Sequence, residues 1–221
     1  MKKIRAFFDA RDVLEVETPL ISHCSTTDPH LDSLATRFRE QDCYLNTSPE
    51  YAMKRLLAQW QQPIYQICKA FRDDELGPNH NPEFTMLEWY RPGYDMMRLM
   101  AEVADLVRYL FEQAEAEPVF EYLSYQQAFQ NVTGIDPHHI STEQCFKYCV
   151  AEHVEVPQGL RPVDDVNHWL DWLLTQQVLP AFNRSGFTFL YDYPAAQCAL
   201  AKIESGLDGT SVAKRFELFY G

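Results

Sequence analysis

The chain reads as an α+β protein with a mainly antiparallel sheet, and three features of its order predict this. Strand-like segments come first, a run of helical segments follows from about residue 95 to 180, and two more strand-like segments close the chain. The segments 64–72 and 82–91 both alternate and flank a turn-forming stretch around residues 77–79, the pattern of a hairpin. Strands and helices do not alternate one for one, so a doubly wound parallel sheet is not expected. With 221 residues, 46% hydrophobic and 14% aromatic, the chain can fill one sizeable core, so a single domain over 1–221 with a helical insertion at about 95–180 is expected.

Each element has a local reason. Helical spacing covers residues 2–11, and VLEVETPLI then alternates until Pro19 removes a ladder donor. YLNTS, residues 44–48, reads as a strand, and Ser48 with Pro49 opens a helix through PEYAMKRLLAQW, serine capping and proline in the first turn. IYQICKAFR and PEFTMLEWYR are rich in β-branched and aromatic residues and form the two arms of the hairpin. Helical patterns then occupy 96–113, 124–131 behind a serine cap, 142–153, and 163–179 up to Pro180. FTFLYDYP and SVAKRFELFY read as the last strands, with turn-rich joints near 117, 157–162 and 205–210.

Charge and cysteine content exclude several function classes. The formal net charge is −13, so the global field repels polyanions and general adhesion to RNA or DNA is not expected. Partners should instead be cations, metal-escorted nucleotides or other proteins. Six scattered cysteines without a C-x-x-C pair fit a reduced, cytoplasmic protein. Cys145 and Cys149 lie near His138, His139 and His153, but this spacing matches no common zinc site, and two thiols on one helical face is the plainer reading. No metal-ligating residue is assigned. No run of about 18 apolar residues occurs, and the first 19 residues carry acids where a secretory signal would be apolar, so neither a membrane span nor export is expected.

The hairpin carries the chemistry. Period two puts Phe84, Met86, Glu88 and Tyr90 on one face of the second arm, and Gln66, Cys68, Ala70 and Arg72 on one face of the first. That face is small, polar and charged, which suits the floor of a pocket; the opposite face is apolar. Arg72 offers a planar fork of donors suited to phosphate or carboxylate. Phe84 can stack on a purine, and His80 and Asn81 on the loop can reach outer phosphates. Glu88 and Glu50 each need a cation, because unpaired acids lining a closed pocket cost several kcal/mol. A substrate ammonium satisfies that need, and so do neighbours such as Lys54 or Arg91.

FRDDELGPNHNPEFTMLEWY, residues 71–90, resembles motif 2 of class II aminoacyl-tRNA synthetases in its lysine-type form. VLEVETPLIS resembles motif 1, NTSPEYAMKRLL resembles the segment bearing an amino-acid-sensing glutamate, and DYPAAQCALAK with KRFELFYG resembles later parts of the same catalytic domain. Within the superfamily, TSPEY, FTMLEWYRPGYDM and LSYQQAF look most like the elongation factor P (R)-β-lysine ligase family, freestanding paralogues of lysyl-tRNA synthetase without an anticodon-binding barrel. The resemblance implies a class II synthetase-like antiparallel sheet flanked by helices. It also implies an ATP-dependent, AMP-forming ligase that activates (R)-β-lysine or lysine and transfers it to a lysine side chain of elongation factor P.

Carried over by resemblance, Arg72 grips the α-phosphate and is the catalytic residue, while Asp73, Asp74, His80, Asn81 and Phe84 complete the ATP site. Asp74 stands where the family usually has glutamate, so the contact could pass to Glu75. Ser48, Pro49, Glu50, Glu88 and Tyr90 frame the amino-acid substrate. Mg²⁺ is expected with ATP, its ligands falling beyond Gly221. No motif 3 strand and helix is recognisable, so the chain is expected to be a fragment with little adenylating activity alone. The alternatives are a lysyl-tRNA synthetase core, against which the net charge argues, and a degenerate nucleotide- or amino-acid-binding regulatory paralogue. A homodimer is expected from the motif 1 segment, with Ile4, Phe7, Phe8 and Leu14 as candidate contacts, against the plainer alternative of burial within the chain.

Overall fold

A computed structural model describes residues 1–28, 31–73, 77, 80–206 and 209–220. The chain divides after Tyr94 into two units, Met1–Tyr94 and Asp95–Gly221.

In the first unit, helix α1 (Lys2–Asp9) buries Phe7 and Phe8, which are 1% and 0% exposed. Phe8 stacks on Tyr65 at 4.6 Å between ring centroids and leans on Trp89 at 5.5 Å. Both of those aromatics belong to the hairpin face that the sequence marks as apolar, so α1 is the cover of that face. Phe7 and Phe8 are therefore interior residues, while Leu14 remains 45% exposed.

Strand β1 (Leu14–Glu15) stops short of Pro19 and runs parallel to the hairpin's first arm. Strands β2 (Ile21–Ser22), β3 (Ala35–Phe38) and β4 (Gln41–Leu45) form a separate antiparallel sheet in the order β2-β4-β3. Helix α2 (Glu50–Trp60) follows, with Pro49 at its N-cap and Gln61 in the left-handed region closing it. Strands β5 (Ile64–Phe71) and β6 (Glu83–Tyr90) pair antiparallel along their whole lengths, from Ile64 opposite Tyr90 to Phe71 opposite Glu83. Val16, Met53 and Ile64 form a small core with Leu56, Leu57 and Tyr90, so α2 lies over the Ile64–Tyr90 end of the hairpin.

The second unit opens with α3 (Met96–Leu110), whose N-cap Asp95 accepts the Arg98 N–H at 2.8 Å. Strand β7 (Phe120–Ser124) passes directly into α4 (Tyr125–Thr133), where Ser124 and Gln127 make a reciprocal capping box and Gly134, at φ 71°, ends the helix. A second capping box, Ser141 with Gln144, starts α5 (Thr142–Ala151). Helix α6 (Val166–Leu173) gives way to a π-turn over Leu174–Val178 and a 3₁₀ turn over Leu179–Ala181, so the helix expected over 163–179 is shorter and changes pitch before Pro180. Strands β8 (Phe187–Pro194), β9 (Ile203–Ser205) and β10 (Ser211–Tyr220) complete a sheet in the order β7-β8-β10-β9.

That sheet is packed on both faces. Met100 and Ala104 of α3 meet Phe189 on one side, with Tyr191, Phe216 and Leu218 beside them. On the other side Leu190, Tyr193 and Ala213 meet α4, α5 and α6 through Tyr125, Phe129, Cys145, Cys149, Trp169 and Leu170. The two thiols thus sit in the core on one face of α5, free of any disulfide. Four strands were not anticipated: β2, β3, β7 and β9. Two pairings, β1 with β5 and β7 with β8, are parallel within otherwise antiparallel sheets.

Replacing Phe8 with alanine removes the cover of the hairpin's apolar face and should cost about 3–5 kcal/mol, whereas Leu14→Ala at an exposed site should stay within about 0.5 kcal/mol. Urea unfolding midpoints of the two variants check the contrast.

Candidate active site

The β5–β6 register decides which side chains share the polar face. Gln66 stands opposite Glu88, Cys68 opposite Met86 and Ala70 opposite Phe84. Cross-strand partners lie on the same side of a sheet, so Phe84 and Glu88 belong to one face. Arg72 leaves the end of β5, its backbone N–H bonded to the Pro82 carbonyl at 2.9 Å, and its guanidinium carbon lies 5.1 Å from the Phe84 ring centroid. An arginine fork and an aromatic plate are thereby placed together at one end of the hairpin, with a carboxylate four residues along the same strand face.

At the other end, Glu88 is held by two neutral donors. Ser48 Oγ donates to Glu88 Oε2 at 2.7 Å, and Tyr90 Oη donates to Oε1 at 2.5 Å. Ser48 also accepts the Glu50 backbone N–H at 3.1 Å, so one hydroxyl touches the start of α2 and fixes the acid, although the N-cap is Pro49 and not the serine expected there. Glu50 pairs with Lys54 one helical turn later, Nζ to Oε1 at 2.6 Å. The neighbouring-cation alternative therefore holds for Glu50. The Arg91 guanidinium donates to Tyr94 Oη at 2.6 Å and to the Arg11 carbonyl at 3.4 Å.

Electrostatics follow the burial. Burial pushes the Tyr90 phenol far above its ordinary range, and the hydrogen bond to Glu88 and the nearby Glu50 charge add to it. The Cys68 thiol is raised by burial and then by Glu88. Gln66, 2% exposed, accepts from Thr18 Oγ1 at 3.0 Å on the same face. The Asn46 carbonyl accepts the Phe71 N–H at 2.9 Å, while its own side-chain amide is buried with no hydrogen-bond partner. Neither Gln66, Thr18 nor Asn46 was given a role from the sequence. The sequence places Gln66 on the pocket-floor face without a role; for Thr18 and Asn46 the signal is weak, and only the fold brings them to this face.

The remaining expected residues are placed less centrally. Pro49 is buried at the start of α2. His80 pairs with Gly77 in an isolated bridge at the hairpin tip, and His80 and Asn81 are exposed there. Asp73 is exposed, its N–H bonded to the Asp32 carbonyl at 3.0 Å. Asp74 and Glu75 lie outside the described residues. Among the described residues, no three His, Cys, Asp or Glu side chains converge as a metal set, so no step is assigned to a metal ion held by them.

What the arrangement can do is bind a planar aromatic group beside an anion at the Arg72–Phe84 end and a cation at the Glu50–Glu88 end. That is the layout for joining a nucleotide to an amino acid. Residues 1–221 match the family model described as tRNA synthetases class II (D, K and N). The chain belongs to that family and is an amino-acid ligase of its kind.

The relatives narrow the comparison. A Pseudoalteromonas translucida protein named elongation factor P–(R)-beta-lysine ligase is 44% identical over 227 residues, covering 100% of this chain and 67% of its own length. Proteins of the same name from Erwinia tasmaniensis and Salmonella paratyphi B are 46% and 44% identical over 226 residues, again covering 100% of this chain and 67% of theirs.

Because Tyr65 and Tyr90 are held neutral, the fold should lose stability at alkaline pH. Tyr65 is raised to about 12 and Tyr90 further still, from an ordinary value of 10.0. A raised phenol contributes stability that is fully present below the unfolded value and is lost as pH rises through the folded one. Urea midpoints should therefore fall from about pH 10 upward, and Tyr90→Phe should fall less steeply than the unaltered protein. Equal slopes for the two would show that Tyr90 does not carry the effect.

Proposed function

We propose that this chain activates (R)-β-lysine, or lysine, with ATP and transfers it to a lysine side chain of elongation factor P. The observation that carries this reading is the shared polar face of the hairpin, with Arg72 against Phe84 at one end and Glu88 locked by Ser48 and Tyr90 at the other. The names of the relatives point the same way.

In this reading the adenine stacks on Phe84, with Asp73, Asp74, His80 and Asn81 completing the nucleotide site. Arg72 binds the α-phosphate. The substrate carboxylate attacks the α-phosphorus, the α–β phosphoanhydride bond breaks, and pyrophosphate leaves. Arg72 offsets the negative charge that builds on the phosphoryl oxygens, an interaction that strengthens toward the transition state. Alignment of the two reactants supplies much of the remaining barrier reduction. The acceptor amine then attacks the acyl carbon, AMP leaves, and the amine's proton passes to solvent.

The substrate amines meet the acids. Glu88 is already held in place by neutral donors, so an arriving ammonium gains a charge-assisted contact without first displacing a cation. Glu50 keeps Lys54 on one oxygen and presents the other, and Ser48 and Pro49 frame that end of the site. Mg²⁺ accompanies ATP in this scheme. The protein works in the cytoplasm as a homodimer, and its net charge of −13 disfavours tRNA as the acceptor.

The test is transfer of labelled (R)-β-lysine or lysine by the gene product to elongation factor P and, separately, to tRNA. Label on the factor alone supports the reading, and label on tRNA alone overturns it. Arg72→Ala should lower the adenylation rate by about 10²–10³-fold, and Arg72→Lys should recover little because a point charge does not replace the fork. Glu88→Gln should act mainly by raising the KM for the amino acid.

A further inference from the structure

Gln66 is the amide of the hairpin floor, and its hydrogen bonds run away from the acid beside it. The register sets Gln66 directly opposite Glu88, with Cys68 and Met86 as the next pair along the same face. Side chains so paired have Cβ atoms about 4.5–5.5 Å apart, within reach of one amide and one carboxylate. Among the described residues, however, Glu88 accepts from Ser48 at 2.7 Å and Tyr90 at 2.5 Å, and not from Gln66. The neighbouring amide is turned elsewhere.

Thr18 is what turns it. The Val16 N–H bonds to the Tyr65 carbonyl at 2.8 Å, which continues the β1–β5 pairing past Glu15 and carries Thr18 alongside the hairpin's first arm. Pro19, next in the chain, favours an extended backbone at Thr18. The Thr18 hydroxyl then donates to Gln66 Oε1 at 3.0 Å. With the oxygen held on the Thr18 side, the amide nitrogen lies on the other. There it donates to the Cys68 thiol, opposing the rise that burial and Glu88 impose on that group.

On electrostatics alone the amide should bond differently. Sulfur is a weak acceptor, whereas hydrogen bonds to a carboxylate are roughly twice as strong as neutral ones. Gln66 is 2% exposed, so water does not make up the difference. Released from Thr18, the amide would donate to Glu88 and occupy a lone pair that an arriving ammonium needs. The contact with Thr18 removes that competitor.

We propose that Thr18 and Gln66 are positioning residues for amine recognition: Thr18 holds the Gln66 amide off Glu88, and so keeps the carboxylate open for the substrate ammonium. This role rests on the reading of Glu88 as the ammonium's acceptor, and adds to it the device that leaves the acid free. Gln66 is harmless while it is clasped. It becomes an internal rival when it is not.

The experiment is amino-acid-dependent ATP–pyrophosphate exchange by the gene product, with (R)-β-lysine and L-lysine as the probes. Thr18→Val keeps the shape and removes the hydroxyl, and should raise the KM for the amino acid about three- to tenfold with a smaller change in kcat. Thr18→Ser keeps the hydroxyl and should stay within about twofold of the unaltered KM. The deciding chain joins Thr18→Val to Gln66→Leu or Gln66→Met, in which no amide is left to compete. Its KM should return toward the unaltered value although it carries more substitutions. A merely structural role gives the opposite result, because two losses of packing or hydrogen bonding then accumulate. Double variants with a KM at or above that of Thr18→Val, or a Thr18→Ser chain as impaired as Thr18→Val, overturn the proposal. Glu88→Gln in the same assay separates the two ideas. A raised KM there beside an unchanged Thr18→Val overturns the clasp alone; an unchanged KM in Glu88→Gln, or no exchange by the unaltered protein, overturns the ammonium reading and the clasp together.

Discussion

The pairing of β5 with β6 is the constraint on which the first unit depends. Eight consecutive partners, from Ile64–Tyr90 to Phe71–Glu83, keep every odd and even side chain on its own side. One face offers Tyr65 and Trp89 to Phe8, and the other offers Gln66, Phe84 and Glu88. A slip of one residue between the strands would turn a carboxylate toward Phe8 and an indole toward the arginine. Burying α1 and presenting the site are thus two results of one register, and neither can be altered without the other.

Within that frame the acids are prepared in different ways. Glu88 is immobilised by a serine and a tyrosine, groups without charge, so its attraction for an ammonium is kept while its orientation is set. Glu50 is held by a lysine on its own helix, at a partly exposed position where such a pair contributes little to stability. The Lys54 contact is better understood as holding a carboxylate in place than as supporting the helix. Ser48 links the two, since its single hydroxyl bonds both the Glu88 carboxylate and the Glu50 N–H.

The parts legible in the sequence were those governed by local periodicity or by turn chemistry. Period two placed Phe84 and Glu88 together and set Tyr65 with Trp89 against them, and the serine at 124 marked a helix start that the structure keeps. Strand β7 was not legible because Phe120–Ser124 runs straight into a helix without a turn and gains its identity only by lying parallel to β8. Strands β2 and β9 are two and three residues long, too short for any period to register. The pitch change at Leu174 and the face switch at Asp192 depend on what surrounds them. Ser48 reads from the sequence as the cap of α2, a place that Pro49 takes, and its bond to Glu88, forty residues on, is a property of the folded chain.

The net charge of −13 bears on how the chain meets its ligands. Such a field draws cations in and speeds their encounter, but it does not distinguish one cation from another. Discrimination requires fixed acceptors whose number and direction match the donor. Around Glu88 the acceptor is satisfied in advance and waits only for charge. In the second unit the Tyr125 and Tyr193 phenols are buried beside Gln197 and Glu217, and the left-handed Asp192 backbone marks where β8 changes face. For a ligand bearing amines, the field governs approach, and a carboxylate fixed in direction, as Glu88 is by Ser48 and Tyr90, governs where the amine is held.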